Sequence, residues 1–188
     1  SVIGTRDVSP VGLKRTQDLV RMLVDRGAVI VSGLARGVDT CAHRAAIDAG
    51  GRTIAVIGTP LGSFYPRENE ELQRTIMAEH LMISQFPAGS PAERKNFAIR
   101  NRTMALVSHA TVIVEAGEGS GTLHHGWEAL RLGRSLFLLE SLVKRADLKW
   151  PGEMIGYGAQ VLTRGNIDVL VECLPEEVPA GDASALSF

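Results

Sequence analysis

The sequence has few of the residues and motifs that disulfide bonds, metal sites or membrane anchors require. Its 188 residues include only two cysteines, Cys41 and Cys173, and neither lies in a CxxC or CxxH motif. The cysteines therefore indicate neither a disulfide framework nor a zinc site, and they favour a reducing, cytoplasmic setting. No apolar run approaches the roughly 18 residues of a membrane span, so we expect no membrane partner. Ser-His-Asp patterns, paired carboxylates and a GxxxxGKS/T loop are missing too, so the sequence points to no catalytic residue and no cofactor.

Aromatic residues are equally scarce. They make up 5% of the chain, whereas 45% of it is hydrophobic. The core must therefore be built from Val, Ile, Leu and Ala, which suits a parallel sheet covered by helices on both faces. The net charge of -1 gives no overall attraction to nucleic acid. A polyanion would have to bind at a local basic patch.

Apolar runs alternate with helix-periodic stretches along the chain. We predict strands at 1–4, 28–31, 53–57, 81–84, 110–115, 135–139 and 159–162. We predict helices at 10–26, 39–49, 66–80, 95–107, 122–132 and 167–174, with Ser9 and Asp39 capping the first two. This order indicates an α/β fold, a doubly wound, mostly parallel open sheet of Rossmann-like type over residues 1–174. Residues 175–188 are predicted to be a linker or disordered tail, and a chain that begins inside a strand is expected to be a fragment.

Glycine-rich or basic segments follow four of these strands, at 4–6, 32–37, 58–62 and 117–122. Ligands of doubly wound sheets bind beyond the carboxyl ends of the strands. In the second segment two glycines bracket Arg36 directly before a helix, so main-chain N–H groups, a helix N-terminus and one fixed charge could hold a phosphate. The same glycines would also serve a tight strand-to-helix turn alone. The convergence of all four segments on one edge favours an anionic ligand.

A basic cluster surrounds one aromatic residue. Arg94, Lys95, Arg100 and Arg102 place four cations within nine residues around Phe97. We expect Arg100 and Arg102 on the surface of their helix, with only one of them facing the ligand, because residues two apart do not share a helix face. Phe97 offers a ring on which a base could stack. A solvated basic face without a ligand is the alternative.

Four polar residues could have structural roles instead of functional ones. Ser120 could contact a phosphate through its hydroxyl or could only cap the following helix. His124 and His125 point to different helix faces, so a shared metal is not expected. His43 is expected to lie in the core or at its rim.

The motifs together resemble one family. They are VIGTR at 2–6, SGLARGVDTCAH at 32–43, GGRTIAVIG at 50–58, YPRENEEL at 65–72, FAIRNRTMALVS at 97–108 and VIVEAGEGSGT at 112–122. In this order they resemble the DNA-processing protein A (DprA or Smf) family across residues 1–170. The resemblance implies a cytoplasmic homodimer with a Rossmann-like core that binds and protects single-stranded DNA and loads the RecA recombinase onto it. It implies no enzymatic activity.

The resemblance also implies a DNA-binding site. Carried over by position, the site consists of Arg6, Ser32, Gly33, Arg36, Gly37, Lys95 (or Arg94), Phe97, Arg100, Asn101, Arg102, Gly119, Ser120, Gly121 and Thr122.

The sequence departs from the family pattern in a few places. Gln85 stands where Glu is usual, 123–127 replaces a run of small residues, and 139–141 lacks the common Pro-Gly pair. We expect this chain to carry neither the helical N-terminal domain nor the winged helix of many members, so the resemblance supports DNA binding more directly than RecA loading.

Two other functions compete on the same scaffold. The segment 117–122 is similar to the loop of LOG-type phosphoribohydrolases, which cleave nucleoside monophosphates. That loop needs a Glu where this chain has His125 and a Pro where it has Ala116, and Glu128 is one helical turn too far along. The other alternative is a sensor that binds a mononucleotide without turnover.

Overall fold

Short parallel strands form the centre of the fold. The computed structural model describes residues 1–175. The strands are β1 (Val2–Ile3), β2 (Ile30–Ser32), β3 (Thr53–Val56), β4 (Leu81–Ile83), β5 (Ala110–Ile113), β6 (Ser135–Leu139) and β7 (Gln160–Leu162). Each predicted strand is confirmed, with bounds that differ by at most two residues. Their continuous apolar runs reflect burial on both faces of the sheet.

The strands pair in two ladders, ordered β1-β5-β6-β7 and β2-β3-β4, and every pair is parallel. The ladders meet where β2 lies against β1, and there the Ser32 hydroxyl donates to the Val2 carbonyl at 2.7 Å. The chain therefore winds outward from β1 to β4 and then returns to the other side of β1 as β5. This reversal beside β1 is the topological switch point of a doubly wound sheet.

Helices cover both faces of the sheet. They are α1 (Pro10–Val24), α2 (Val38–Asp48), α3 (Glu70–Glu79), α4 (Arg94–Val107), α5 (Gly121–Arg131), α6 (Glu140–Val143), α7 (Trp150–Gly156) and α8 (Ile167–Val171). Alternate strand residues face opposite ways: Val2 packs with α1, α2 and α8, whereas Ile3 packs with α4, α5 and α7. The predicted doubly wound, Rossmann-like class is confirmed.

Helix starts were predicted with mixed success. Ser9 caps α1 by accepting from the Gly12 N–H at 3.0 Å, and Ser120 caps α5 by accepting from the Thr122 N–H at 3.3 Å. The prediction that Asp39 caps α2 is wrong, because the N-cap is Gly37, in the left-handed region with φ 78°. Asp39 lies inside the first turn of the helix and is buried.

Three further differences from the sequence predictions concern short elements. The helix predicted from 66 is a 3-10 turn at Arg67–Asn69 followed by α3. The short helices α6 and α7 were not predicted, although Trp150 and Met154 of α7 are core residues. The predicted tail falls almost wholly on residues 176–188, outside the described residues. No helix within 1–175 is long and apolar enough to cross a membrane.

Candidate functional site

A cleft beyond the carboxyl ends of β1, β2 and β3 collects five of the residues selected from the sequence. These five are Arg6, Gly33, Arg36, Phe97 and Arg100. The remaining lining residues are Leu34, Ala35, Ile57, Gly58, Tyr65 and Pro66. The enclosed part of the cleft measures about 30 Å³, on the order of one water molecule, so a larger ligand would lie across its mouth.

Arg100 forms the floor of the cleft. The expectation of a surface side chain is wrong, since Arg100 is only 6% exposed. Its Nη1 donates to the carbonyls of Gly33 at 2.5 Å and Val56 at 2.6 Å, which joins the ends of β2 and β3. Gly33 lies so close to the guanidinium that a Cβ at this position would overlap it. Arg100 is the one of the two candidate arginines that faces the cleft.

A buried carboxylate lies behind this guanidinium. Burial raises the pKa of Asp39 to about 6, and the Arg100 charge opposes that rise. Burial lowers the pKa of Arg100, while Asp39 favours its charged form. The Asp39 carboxylate also accepts from the Ala35 N–H at 3.4 Å. The Asp39 carboxylate therefore offsets part of the positive charge of Arg100.

The two other arginines of the cleft are exposed and free to approach a ligand. Arg6 extends from the β1–α1 loop. Arg36 extends from the turn after β2 and lies 3.4 Å from a carboxylate oxygen of Glu68, with both side chains more than half exposed. An ion pair between exposed side chains contributes about 0.2–1 kcal/mol, so a phosphate could replace Glu68.

Two aromatic rings stand side by side at the mouth of the cleft. The centroids of Tyr65 and Phe97 are 5.4 Å apart, and the ring planes are inclined at 50°. Tyr65 is 49% exposed. The back of the Phe97 ring packs on Gly58, where a Cβ would be 2.7 Å from Phe97 Cδ1. The pair offers aromatic faces to a base.

The turn after β2 is held in an unusual conformation. Leu34 is fully buried and has a φ of 58°, in the left-handed region that residues other than glycine rarely adopt. The Asn69 side chain donates to the Leu34 carbonyl at 2.9 Å and so supports this turn. Neither Asn69 nor Tyr65 was assigned a role from the sequence. Both belong to the YPRENEEL segment, and its match to the family pattern is the sequence feature that could have pointed to them.

The other predicted site residues lie apart from the cleft. Ser32 is buried at the β1–β2 junction, and Gly37 allows the main chain of Thr5 and Arg6 to pass against α2. Lys95 pairs with Glu93 at 2.7 Å on the exposed side of α4.

Asn101 and Arg102, the two residues after Arg100, do not line the cleft. Asn101 accepts from Arg100 Nε at 3.2 Å. Arg102 pairs with Glu128 at 2.9 Å, so it is directed toward α5. None of residues 119–122 lines the cleft.

The groups that a hydrolase or a metal would need lie elsewhere. His125 is buried and within 3.2 Å of the Thr111 hydroxyl, and Glu128 is held between Arg102 and Arg131. His43 is buried, as predicted, with Nδ1 2.7 Å from the Thr53 hydroxyl. Residues 1–175 contain no group of three potential metal ligands. The cleft itself offers fixed positive charge and aromatic faces, which suit phosphates and bases.

Sequence comparisons place these residues in a family context. A sequence model of the DNA recombination-mediator protein A family matches residues 1–174. The DNA processing protein DprA of Streptococcus pneumoniae is 38% identical over 172 residues, which cover 92% of this chain and 60% of that protein. Protein Smf of Synechocystis is 38% identical over 165 residues, covering 88% of this chain and 42% of Smf. The chain thus spans roughly half the length of these relatives.

Solved structures give the same result. The X-ray structure of DprA from Streptococcus pneumoniae superposes with a TM-score of 0.83 at 36% identity, covering 93% of this chain and 61% of that one. DprA from Helicobacter pylori, whose structure addresses its single-stranded DNA binding mode, gives 0.79 at 30% identity and covers 91% and 79%. A molybdenum cofactor carrier protein from Chlamydomonas reinhardtii, at 20% identity and a TM-score of 0.62, shares the fold alone.

Proposed function

Because this chain belongs to the DNA recombination-mediator protein A family, also called DprA or Smf, we propose that its cleft binds single-stranded DNA. The observation that carries this proposal is the meeting of three arginines and two aromatic rings at one sheet edge. A chain with a net charge of -1 attracts a polyanion only where cations are concentrated. The binding mode studied for the Helicobacter pylori relative supports the same ligand class.

Each part of the cleft has a distinct role in this proposal. Arg6 and Arg36 are exposed and bind successive phosphates, while Tyr65 and Phe97 stack on a base. Arg100 holds the β2 and β3 ends in place, because its Nη1 is already used by two carbonyls. The cleft is too small to enclose a nucleotide, which favours a strand lying across it.

The residues outside the cleft remain proposed contacts. Lys95 is exposed near the start of α4, and a strand that leaves the cleft along this helix would reach it. Contacts of Arg102 and of residues 119–122 with DNA are proposed on the family resemblance alone. So are the homodimer and the loading of RecA, the latter supported by the description of the family as recombination mediators.

The proposal is tested by titrating labelled oligo-dT at two salt concentrations, with a mononucleotide and double-stranded DNA as competitors. We expect salt-sensitive binding that a mononucleotide does not displace. Displacement by a mononucleotide at comparable concentration would instead favour the sensor or the hydrolase, which release of free base from AMP would separate.

Matched variants locate the site. Arg6→Ala should weaken binding and reduce the salt slope by about 0.7, the value for one phosphate contact on a single strand. Arg52→Ala is the control, because Arg52 precedes β3 at the opposite edge of the sheet. Tyr65→Ala should weaken binding by about 1–3 kcal/mol per stacked base. Its control is Tyr157→Ala, whose ring packs against Trp127. Equal affinity of all four variants would place the site elsewhere.

A further inference from the structure

The β1–α1 loop, which carries Arg6, is held by one residue of the neighbouring strand. Glu115 is the second residue after β5, at the switch point. Its main-chain carbonyl accepts from the Thr5 N–H at 2.7 Å, and its carboxylate accepts from the Ser9 N–H at 3.0 Å and the Ser9 hydroxyl at 2.7 Å. One residue therefore fixes both ends of the segment that presents Arg6.

The site around this carboxylate has been left open by a glycine. A Cβ on Gly12 would overlap Glu115 Oε2. Glycine inside a helix costs about 1 kcal/mol relative to alanine, so its presence in α1 is explained by the close approach of the carboxylate. The Ser9 hydroxyl that donates to Glu115 also accepts from the Gly12 N–H, which links the carboxylate to the α1 N-terminus. A negative charge is stabilising there.

The contact as it stands uses both oxygens of a carboxylate. Ser9 donates its N–H and its O–H, and each Glu115 oxygen accepts one of them. A glutamine has the same shape, but it brings no charge to the α1 N-terminus, and its NH2 group could not accept from the Ser9 hydroxyl. We propose that Glu115 is a positioning residue for Arg6, holding the β1–α1 loop so that the Arg6 guanidinium faces the cleft. This inference rests on the proposed binding of single-stranded DNA in that cleft.

Whether Glu115→Gln weakens or strengthens DNA binding distinguishes a positioning role from a simple effect of charge. Replacing Glu115 by glutamine removes a negative charge, and this alone would strengthen binding to a polyanion. A loosened Arg6 would weaken it. Glu118→Gln is the matched control, because Glu118 lies in the same loop and its carboxylate accepts from the Lys149 N–H instead.

The experiment compares oligo-dT affinity for Glu115→Gln, Arg6→Ala, the double variant and Glu118→Gln. We expect Glu115→Gln to bind about three- to tenfold more weakly than the parent, with a smaller salt slope, and Glu118→Gln to bind at least as tightly as the parent. In the Arg6→Ala background Glu115→Gln should cause no further loss, because a residue that acts through Arg6 has no effect once Arg6 is gone. Ser9→Ala, which removes one of the two donors, should reproduce part of the loss if Glu115→Gln folds poorly.

Each outcome has a distinct meaning. If Arg6→Ala binds like the parent, the proposed site is wrong. If Arg6→Ala weakens binding but neither Glu115→Gln nor Ser9→Ala does, the positioning role is wrong and the site stands. Equal losses from Glu115→Gln in both backgrounds would also overturn the positioning role, since the effect would then come from the fold as a whole.

Discussion

Replacing Gly58 by alanine tests whether the exact placement of the Phe97 ring matters for binding. Gly58 follows β3 and supports the back of that ring. An added Cβ would lie 2.7 Å from Cδ1, 3.1 Å from Cε1 and 3.2 Å from Cγ of Phe97. Carbon atoms pack at about 3.5–4.0 Å, so the ring must move by roughly 1 Å. Gly58 has no positive φ, which means that alanine fits its backbone and only the ring is disturbed.

The expected loss of affinity follows from the value of a stacked base. Alanine substitution of a stacking aromatic costs about 1–3 kcal/mol, or about 5- to 150-fold in Kd. Gly58→Ala keeps the ring but displaces it, so we expect a loss of about 3- to 10-fold, below that of Phe97→Ala. Overpacking costs about 1–3 kcal/mol of folding stability, and the lower entropy of the unfolded chain returns about 0.4–1 kcal/mol. The net loss of about 0–2.6 kcal/mol should lower the melting temperature by at most about 10 °C.

The assay is fluorescence anisotropy of labelled oligo-dT, with melting curves recorded on the same samples. Gly62→Ala is the control, because Gly62 lies in the same loop and a Cβ added there would have no atom within 4 Å. In the Phe97→Ala background Gly58→Ala should have no effect, since all three close atoms belong to the ring. The reasoning is refuted if Gly58→Ala and Gly62→Ala bind alike, or if Gly58→Ala costs as much without the ring as with it.

Two further predictions follow from charges near the cleft. Glu68→Gln removes the carboxylate that lies 3.4 Å from Arg36, so it should tighten oligo-dT binding about 1.5- to 5-fold at low salt and not at high salt, with Glu71→Gln on α3 as control. Weaker binding would contradict it. Asp39 has a pKa of about 6 in the folded protein, against an ordinary value of 3.8. Between pH 3.8 and pH 6 the folded protein therefore binds a proton at Asp39 that the unfolded chain has lost. In urea unfolding, the parent should therefore gain about 2 kcal/mol of stability relative to Asp39→Asn as pH falls from 6 to 4. A relative loss would show that the Asp39 pKa is not raised.

The sequence predicted the sheet well because burial on both faces leaves a clear mark. Each strand is a short apolar run that ends at a glycine or a polar turn, and most long helices show an apolar stripe. The helices α6 and α7 were missed because four and seven residues are too few to show a helical period. Their core residues Trp150 and Met154 acquire that role only through contact with the sheet.

The site was harder to predict because one of its main residues breaks the usual rule for arginine. On α4 the buried stripe consists of Asn96, Arg100, Met104 and Ala105, so polar residues hide the helical period. Nothing local distinguishes Arg100 from Arg102. The difference comes from their partners in the fold. Arg100 reaches two main-chain carbonyls at the ends of β2 and β3 that need a donor, whereas Arg102 reaches a carboxylate of α5.

The position of the cleft relative to the switch point bears on which anion the protein can accept. In doubly wound folds a nucleotide phosphate commonly binds at the N-terminus of the helix after the first strand. Here the Glu115 carboxylate already holds the Ser9 cap of α1, and a phosphate placed beside it would meet a like charge. The positive groups Arg6, Arg36 and Arg100 lie instead around the ends of β1, β2 and β3, in a cleft too small to enclose a nucleotide. A free mononucleotide would gain only one or two of these contacts there, whereas a strand would engage the arginines and rings together, so the same arrangement that closes the usual nucleotide site favours a polymer.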